Sequence, residues 1–349
     1  VATTVTGQRP AAATPVTAAL DLSLVDASLD VLLREGLARV ETALHSAVTQ
    51  ADPLADDASR HLVSAGGKRV RPMLALLAAH LGDPHRPQIV DAAVVVELTH
   101  LATLYHDDVM DSAPLRRGAP AAHEVWGNTV AILTGDLLFA RASTIVAGLG
   151  PEAVRIQAET FERLCLGQLH ETIGPRDGED PVGHYLRVLA DKTASLIATS
   201  ARLGAMFAGC GQDVLDVLVA YGEKVGVAFQ LADDVIDLVS DGATSGKTPG
   251  TDLREGVPTL PVLLVRRHAA EHGDAASRDL VVLLDGDLSD DARLADAVAR
   301  LREHPATQTA RAEAGRWARE AVEALAPLPE GPATSGLRAF ATAVVDRTA

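Results

Sequence analysis

Apolar residues recur at helical spacing along almost the whole chain, and this constrains the fold more than any other feature. Leu33, Leu37, Val40, Leu44 and Val48 fall three or four residues apart and define one apolar helix face. Similar stretches follow at about 55–65, 70–81, 87–110, 121–148, 151–173, 180–209, 212–239, 258–272, 290–303, 305–326 and 334–347. Gly and Pro punctuate them, as at Gly82-Asp83-Pro84, Gly150-Pro151, Gly174-Pro175 and Asp180-Pro181. No run alternates convincingly, and no Asn-Gly turn marks a hairpin. The spacing predicts an all-α fold, a large single-domain helical bundle. The polar interruptions at 174–181 and 240–257 are short enough to be loops within one domain. A domain over 21–349 is expected, behind a flexible N-terminal tail over 1–20 that is rich in Ala, Thr and Pro.

Charge narrows the partners. The 349 residues carry 31 Lys and Arg against 47 Asp and Glu, a net of −16. Nucleic acid and polybasic membrane binding are therefore not expected. An anionic substrate must be held by a few placed cations or by metal ions, because the overall field repels it. Cys165 and Cys210 are too few for a disulfide framework or a Cys-rich zinc site. No long uncharged apolar stretch stands out, so an integral membrane protein is not expected. No signal-peptide pattern is evident, and a cytoplasmic location is expected.

Two acidic clusters carry the chemistry. Asp107-Asp108-Val109-Met110-Asp111 and Asp233-Asp234-Val235-Ile236-Asp237 share the form DDxxD, and each closes a long apolar stretch. Asp107 and Asp111 lie one turn apart on one helix face, as do Asp233 and Asp237. Like charges so placed destabilise a helix by a few tenths of a kcal/mol, roughly, unless a cation compensates. Hard oxygen ligands suit Mg²⁺, which takes one or two carboxylates together with phosphates and waters. One such cluster alone could be a solvated helix end; two copies beside apolar turns favour metal and diphosphate.

The basic residues around the clusters are individually weak signals. Gly66-Gly67-Lys68-Arg69-Val70-Arg71-Pro72 marks a helix boundary, where Lys68 and Arg71 could meet an anion or form an ordinary basic turn. Arg116 and Arg117 follow the first cluster and could offset phosphate or simply neutralise aspartates. His100 lies two turns before Asp107, and a lone helix histidine is more often structural. Lys192-Thr193 and Gly246-Lys247 add two further cations.

In this order the chain resembles the trans-isoprenyl diphosphate synthase (polyprenyl synthetase) family. The matching pieces are GGKRVRP at 66–72, ELTHLATLYHDDVMD at 97–111, RRGAPAAH at 116–123, GNTVAILTGDLL at 127–138, GQLHE at 167–171, DKTASL at 191–196, GVAFQLADDVID at 226–237 and GKTPGTDLREGVPTLP at 246–261. The resemblance implies a helical bundle around a deep cavity and a homodimer. It implies Mg²⁺-dependent, sequential 1′-4 condensation of isopentenyl diphosphate with allylic diphosphates, with about three Mg²⁺ ions at the site. Asp107, Asp111 and Asp233 match metal ligands, Asp237 a ligand acting through water, and Asp108 and Asp234 supporting positions. Arg116, Lys192 and Lys247 match the grip on the allylic diphosphate, with Thr193 and Gln230 near the reacting carbons. Lys68, Arg71, His100 and Arg117 match the isopentenyl diphosphate site. Two positions depart from the family: Val257 stands where Lys is common, removing a cation, and Glu171 where Asp is common.

Small residues before the first cluster, Ala102 and Thr103, imply an open elongation path and a long product, C30 or longer. The alternative is a short-chain C15 or C20 synthase. A class I terpene cyclase is disfavoured by the second full DDxxD and by only 3% aromatic residues. A non-catalytic regulatory subunit would be expected to lack one cluster, and both are present.

Overall fold

The computed structural model describes residues 26–239 and 249–346. The expected tail at 1–20 and the cation Lys247 lie outside the described residues. Among the described residues the chain is a bundle of helices with one minimal β-ribbon. In chain order they are α1 (Ala27–Ala47), α2 (Pro53–Ser64), α3 (Val70–Ala79), α4 (Gln88–Met110), β1 (Leu115–Arg116), β2 (Ala119–Pro120), α5 (Ala122–Trp126), α6 (Asn128–Leu149), α7 (Pro151–Ile173), α8 (Pro181–Leu189) and a π-helical turn (Ala190–Ala194). They continue as α9 (Ser195–Phe207), α10 (Gln212–Val239), α11 (Thr251–Arg254), α12 (Leu260–His272), α13 (Ala275–Leu284), α14 (Asp291–Glu303), α15 (Pro305–Ala324) and α16 (Pro332–Asp346).

Helix starts follow local chemistry. Asp26 accepts hydrogen bonds from the Ser28 and Leu29 amides, both at 2.9 Å, and Asp52 accepts from Ala55 ahead of a proline first turn. Asp180 caps α8 in the same way, with Pro181 at the first helical position. The anticipated face of α1 is buried at Leu33, Val40 and Leu44. α3 is buried from Pro72 to Ala79 and packs against α4 and α9. Leu74, Leu77, Leu98, Leu101 and Tyr221 meet in the main core. A second apolar cluster joins α4, α6, α7 and α9 through Val95, Val96, Val146, Ile156 and Leu203.

Three expectations need correction. The stretch at 121–148 is two helices, because Gly127 adopts φ 82° between α5 and α6. The stretch at 180–209 is interrupted by the π turn. The expected absence of strands misses the ribbon, whose Leu115↔Pro120 and Arg116↔Ala119 pairs are too short to show alternation. Its turn is made by Arg117 and Gly118, both left-handed at φ 55° and 77°.

By length and composition alone, two helices among the described residues could also cross a membrane, although neither is an uncharged run, since α4 carries Asp91 and Glu97 and α6 carries Asp136 and Arg141. In α4 67% of the apolar window is buried inside the bundle, as a core helix requires; in α6 it is 33%. The two run antiparallel, with Gly135 of α6 against the Ala102 carbonyl and the His106 ring.

Candidate active site

The first aspartate cluster closes α4. Asp107 is half-buried, and burial raises its carboxyl to about 6, with Asp111 and Glu171 adding and Lys192 and Arg116 opposing. Asp111 is the exposed C-terminal cap of α4. Asp108 points inward and is fully buried, and Arg116 holds it through Nε at 2.6 Å and a second guanidinium nitrogen at 2.5 Å. Its other oxygen, Oδ2, is buried with no hydrogen bond. The β-ribbon makes this possible, because its tight turn swings Arg116 back onto α4.

The same turn sends Arg117 the other way. Its guanidinium donates to the Leu62 carbonyl at 3.1 Å and to the Gly66 carbonyl. It lies flat on Gly67, where a Cβ would sit 2.7 Å from Arg117 Cζ, so the glycine is needed for contact as well as for its φ of +146°. Beside it, Arg71 has a buried Nε with no hydrogen-bond partner, and burial lowers its guanidinium to about 10. Burial first, then the charges of Arg71, Arg117, Arg116 and Arg69, hold the His100 imidazole well below its usual range. His100 is therefore neutral at pH 7 and can donate one hydrogen bond without adding charge.

Sequence reasoning missed what organises this pocket. Arg69, in a left-handed conformation at φ 46°, binds Glu41 through Nε and a terminal nitrogen at 2.8 and 2.9 Å, and Glu97 at 2.9 Å. It thereby engages the two nearby carboxylates by hydrogen bonds, so Glu97 reaches Arg71 and Arg117 only through its charge. The available signal was Glu97, a lone carboxylate inside an apolar run, which is costly without a partner.

The second cluster lies on α10. Asp234 is buried, accepting from the Tyr185 hydroxyl and from Gln230 Nε2 at 3.3 Å. Burial raises its carboxyl to about 8, against these two hydrogen bonds and with Asp252 and Asp233 adding. Asp237 accepts from the amides of Thr251 at 3.3 Å and Asp252 at 3.4 Å, tying α10 to the start of α11. Tyr185 was not anticipated, and its position on α8 carries no motif.

Lys192 and Thr193 span the two clusters. Lys192 acts on Asp107 electrostatically and pairs with Glu171, while Thr193 Oγ1 donates to Gln230 Oε1 at 3.4 Å. Ala102 is buried in the main core, and half-buried Thr103 bonds the His100 carbonyl at 2.8 Å. Among the described residues no three His, Cys, Asp or Glu side chains lie close enough together to hold a metal ion by themselves. Carboxylates at two helix ends fit Mg²⁺, which takes only one or two of them and shares waters and substrate oxygens, rather than a structural ion.

A family model described as polyprenyl synthetase matches residues 52–300. The chain belongs to the polyprenyl synthetase family. Within it, the nonaprenyl diphosphate synthase of Mycobacterium tuberculosis is 46% identical over 335 residues, covering 96% of this chain and 99% of that protein. Component 2 of the heptaprenyl diphosphate synthase of Geobacillus stearothermophilus is 37% identical, covering 88% and 95%. The crystal structure of a geranylgeranyl pyrophosphate synthase from Corynebacterium glutamicum, complexed with calcium and isoprenyl diphosphate, superimposes with a TM-score of 0.81 at 42% identity, covering 92% and 98%. Both aspartate clusters of this polyprenyl synthetase fall inside the matched residues.

Proposed function

We propose that the chain is a long-chain trans-polyprenyl diphosphate synthase, condensing isopentenyl diphosphate repeatedly onto an allylic diphosphate to give products of C30 or longer. One observation carries the reading. Two differently built anion sites lie along α4: its aspartate end with Lys192 of the π turn, and, two turns earlier, His100 with Arg71 of α3 and Arg117 of the ribbon turn. A reaction joining two diphosphates needs both.

Asp107, Asp111 and Asp233 would hold Mg²⁺ directly and Asp237 through water, with about three ions per site. When bound, these ions stabilise charge on the departing diphosphate. Arg116, Lys192 and Lys247 are assigned to the allylic diphosphate, with Thr193 and Gln230 beside the reacting carbons. Lys68, Arg71, Arg117 and neutral His100 are assigned to isopentenyl diphosphate. The orphaned Arg71 Nε is a donor awaiting an acceptor of that kind. Apolar side chains around α4 keep water from the reacting carbon. The small residues Ala102 and Thr103 are assigned to the path of the growing chain along that helix, and the nonaprenyl relative supports the long product.

We also propose a homodimer. Leu166, Leu169 and Ile173 recur on one face of α7 and, with Leu133 of α6, are exposed. A second copy covering that face accounts for the low burial of α6. Light scattering after size exclusion tests it, with a monomer as the overturning result.

The activity test incubates the purified chain with Mg²⁺, isopentenyl diphosphate and C5 to C20 allylic primers. The expected products are long-chain diphosphates, lost when EDTA removes the metal. Products stopping at C20 would reassign it as a short-chain synthase. Inactivity with every primer would overturn the reading of this chain as a synthase by itself and leave that of one subunit of a two-component enzyme, as the name of the heptaprenyl relative describes that protein.

A further inference from the structure

The π turn at Ala190–Ala194 widens one turn of an otherwise continuous α8–α9 rod. Such turns place side chains that a regular helix would aim elsewhere, and they free backbone carbonyls that must find donors. Here the turn carries Lys192 and Thr193, the two residues that span the aspartate clusters.

The turn is gripped from outside. Arg163, on α7, donates from Nε to Asp191 Oδ1 at 2.9 Å and from a terminal nitrogen to the Ala190 carbonyl at 3.1 Å. Its guanidinium also binds both oxygens of Glu223 on α10. The backbones are equally close. A Cβ on Gly167 would stand 2.5 Å from the Lys192 nitrogen, and one on Gly226 would stand 2.5 Å from the Ala194 Cα. The turn is therefore pinched between α7 and α10, with Arg163 closing one edge.

We propose that Arg163 is a positioning residue for the allylic diphosphate, fixing the π turn so that Lys192 faces the first cluster while Thr193 faces Gln230. This rests on the reading of Lys192 and Thr193 given above. Arg163 touches no part of the proposed substrate. It acts through Ala190 and Asp191, which bracket Lys192 on its N-terminal side. A planar guanidinium can serve a backbone carbonyl and two carboxylates together, which a lysine ammonium does less well. Nothing in its surrounding sequence, FERLCLGQ, announces this role.

The test compares steady-state constants of the full chain for its allylic primer and for isopentenyl diphosphate. Arg163→Met is expected to raise KM for the allylic diphosphate about tenfold, with KM for isopentenyl diphosphate within about twofold of wild type. Arg163→Lys should recover part of the loss. Glu223→Gln, which leaves Arg163 and its bonds to the turn in place, should raise only the allylic KM, by about threefold. Equal shifts in both constants, or a loss of active protein with both constants unchanged, would reduce Arg163 to a structural residue and overturn the proposal. If Arg163→Met does not fold, the Lys and Glu223→Gln variants decide by the same split. A wild-type chain inactive with every primer would instead strike the proposed function. Calorimetry with magnesium and inorganic diphosphate then tests Arg163, with about tenfold weaker binding to the Met variant expected and equal binding overturning the inference.

Discussion

The two aspartate clusters are nearly identical in sequence and are neutralised in different ways. At the middle position of the first, Asp108 is met by a cation, the Arg116 guanidinium delivered by the β-ribbon. At the middle position of the second, Asp234 is met by a phenol and an amide, Tyr185 and Gln230. The carboxyl at 234 is accordingly pushed up to about 8, whereas Arg116 opposes the rise at 108. A repeated motif thus fixes which aspartate turns inward, while that inward residue takes whatever partner the neighbouring element supplies.

The comparison breaks most visibly at Arg116. Arg116→Leu strands a fully buried carboxylate, and because Arg116 itself is partly exposed the expected loss is about 3 kcal/mol, the low end for one partner of a buried pair. Denaturant unfolding measures it. Tyr185→Phe removes a neutral donor from Asp234 and should cost less, about 2 kcal/mol by the same method. A Tyr185 loss matching that of Arg116 would erase the distinction between the clusters. Asp234→Asn should be nearly silent in stability at pH 7, within about 1 kcal/mol, because the carboxyl it replaces is largely protonated there. A large loss would mean that Asp234 is ionised.

The smallest expected effect is a pH slope at His100. Its folded-state pKa lies well below 6.5, so as pH falls below 6.5 only the unfolded chain takes up that proton. Stability should therefore fall with pH in that window, and His100→Gln should flatten part of the slope. An imidazole NMR signal for His100 that titrates near 6.5 would contradict this. A flat signal would confirm a buried imidazole, flanked by arginines, two turns back along α4 from the first cluster.

Much of the fold was legible because burial enforces a period. The apolar face of α1 and the apolar runs of α4 and α10 could be read directly, and both DDxxD motifs fall at or near the ends of their helices. The π turn was not legible, since Ala190-Asp191-Lys192-Thr193-Ala194 keeps ordinary helix formers and the irregularity comes from packing against Gly167 and Gly226. The ribbon was too short to leave a pattern. In the site, residues bearing a motif were visible, whereas their supports Arg69, Tyr185 and Arg163 were not. Such supports are chosen by what stands opposite them in space, and one chain read linearly carries no record of that.

Arg117 reaches back across some fifty residues to rest on Gly67 and to bond the Leu62 and Gly66 carbonyls, and that set of contacts has a thermodynamic corollary. The loop before α3 and the ribbon after α4 share one guanidinium, so neither reaches its final shape without the other. Loosening either end should slacken both together, making the pocket a cooperative hinge point and not a pair of independent loops.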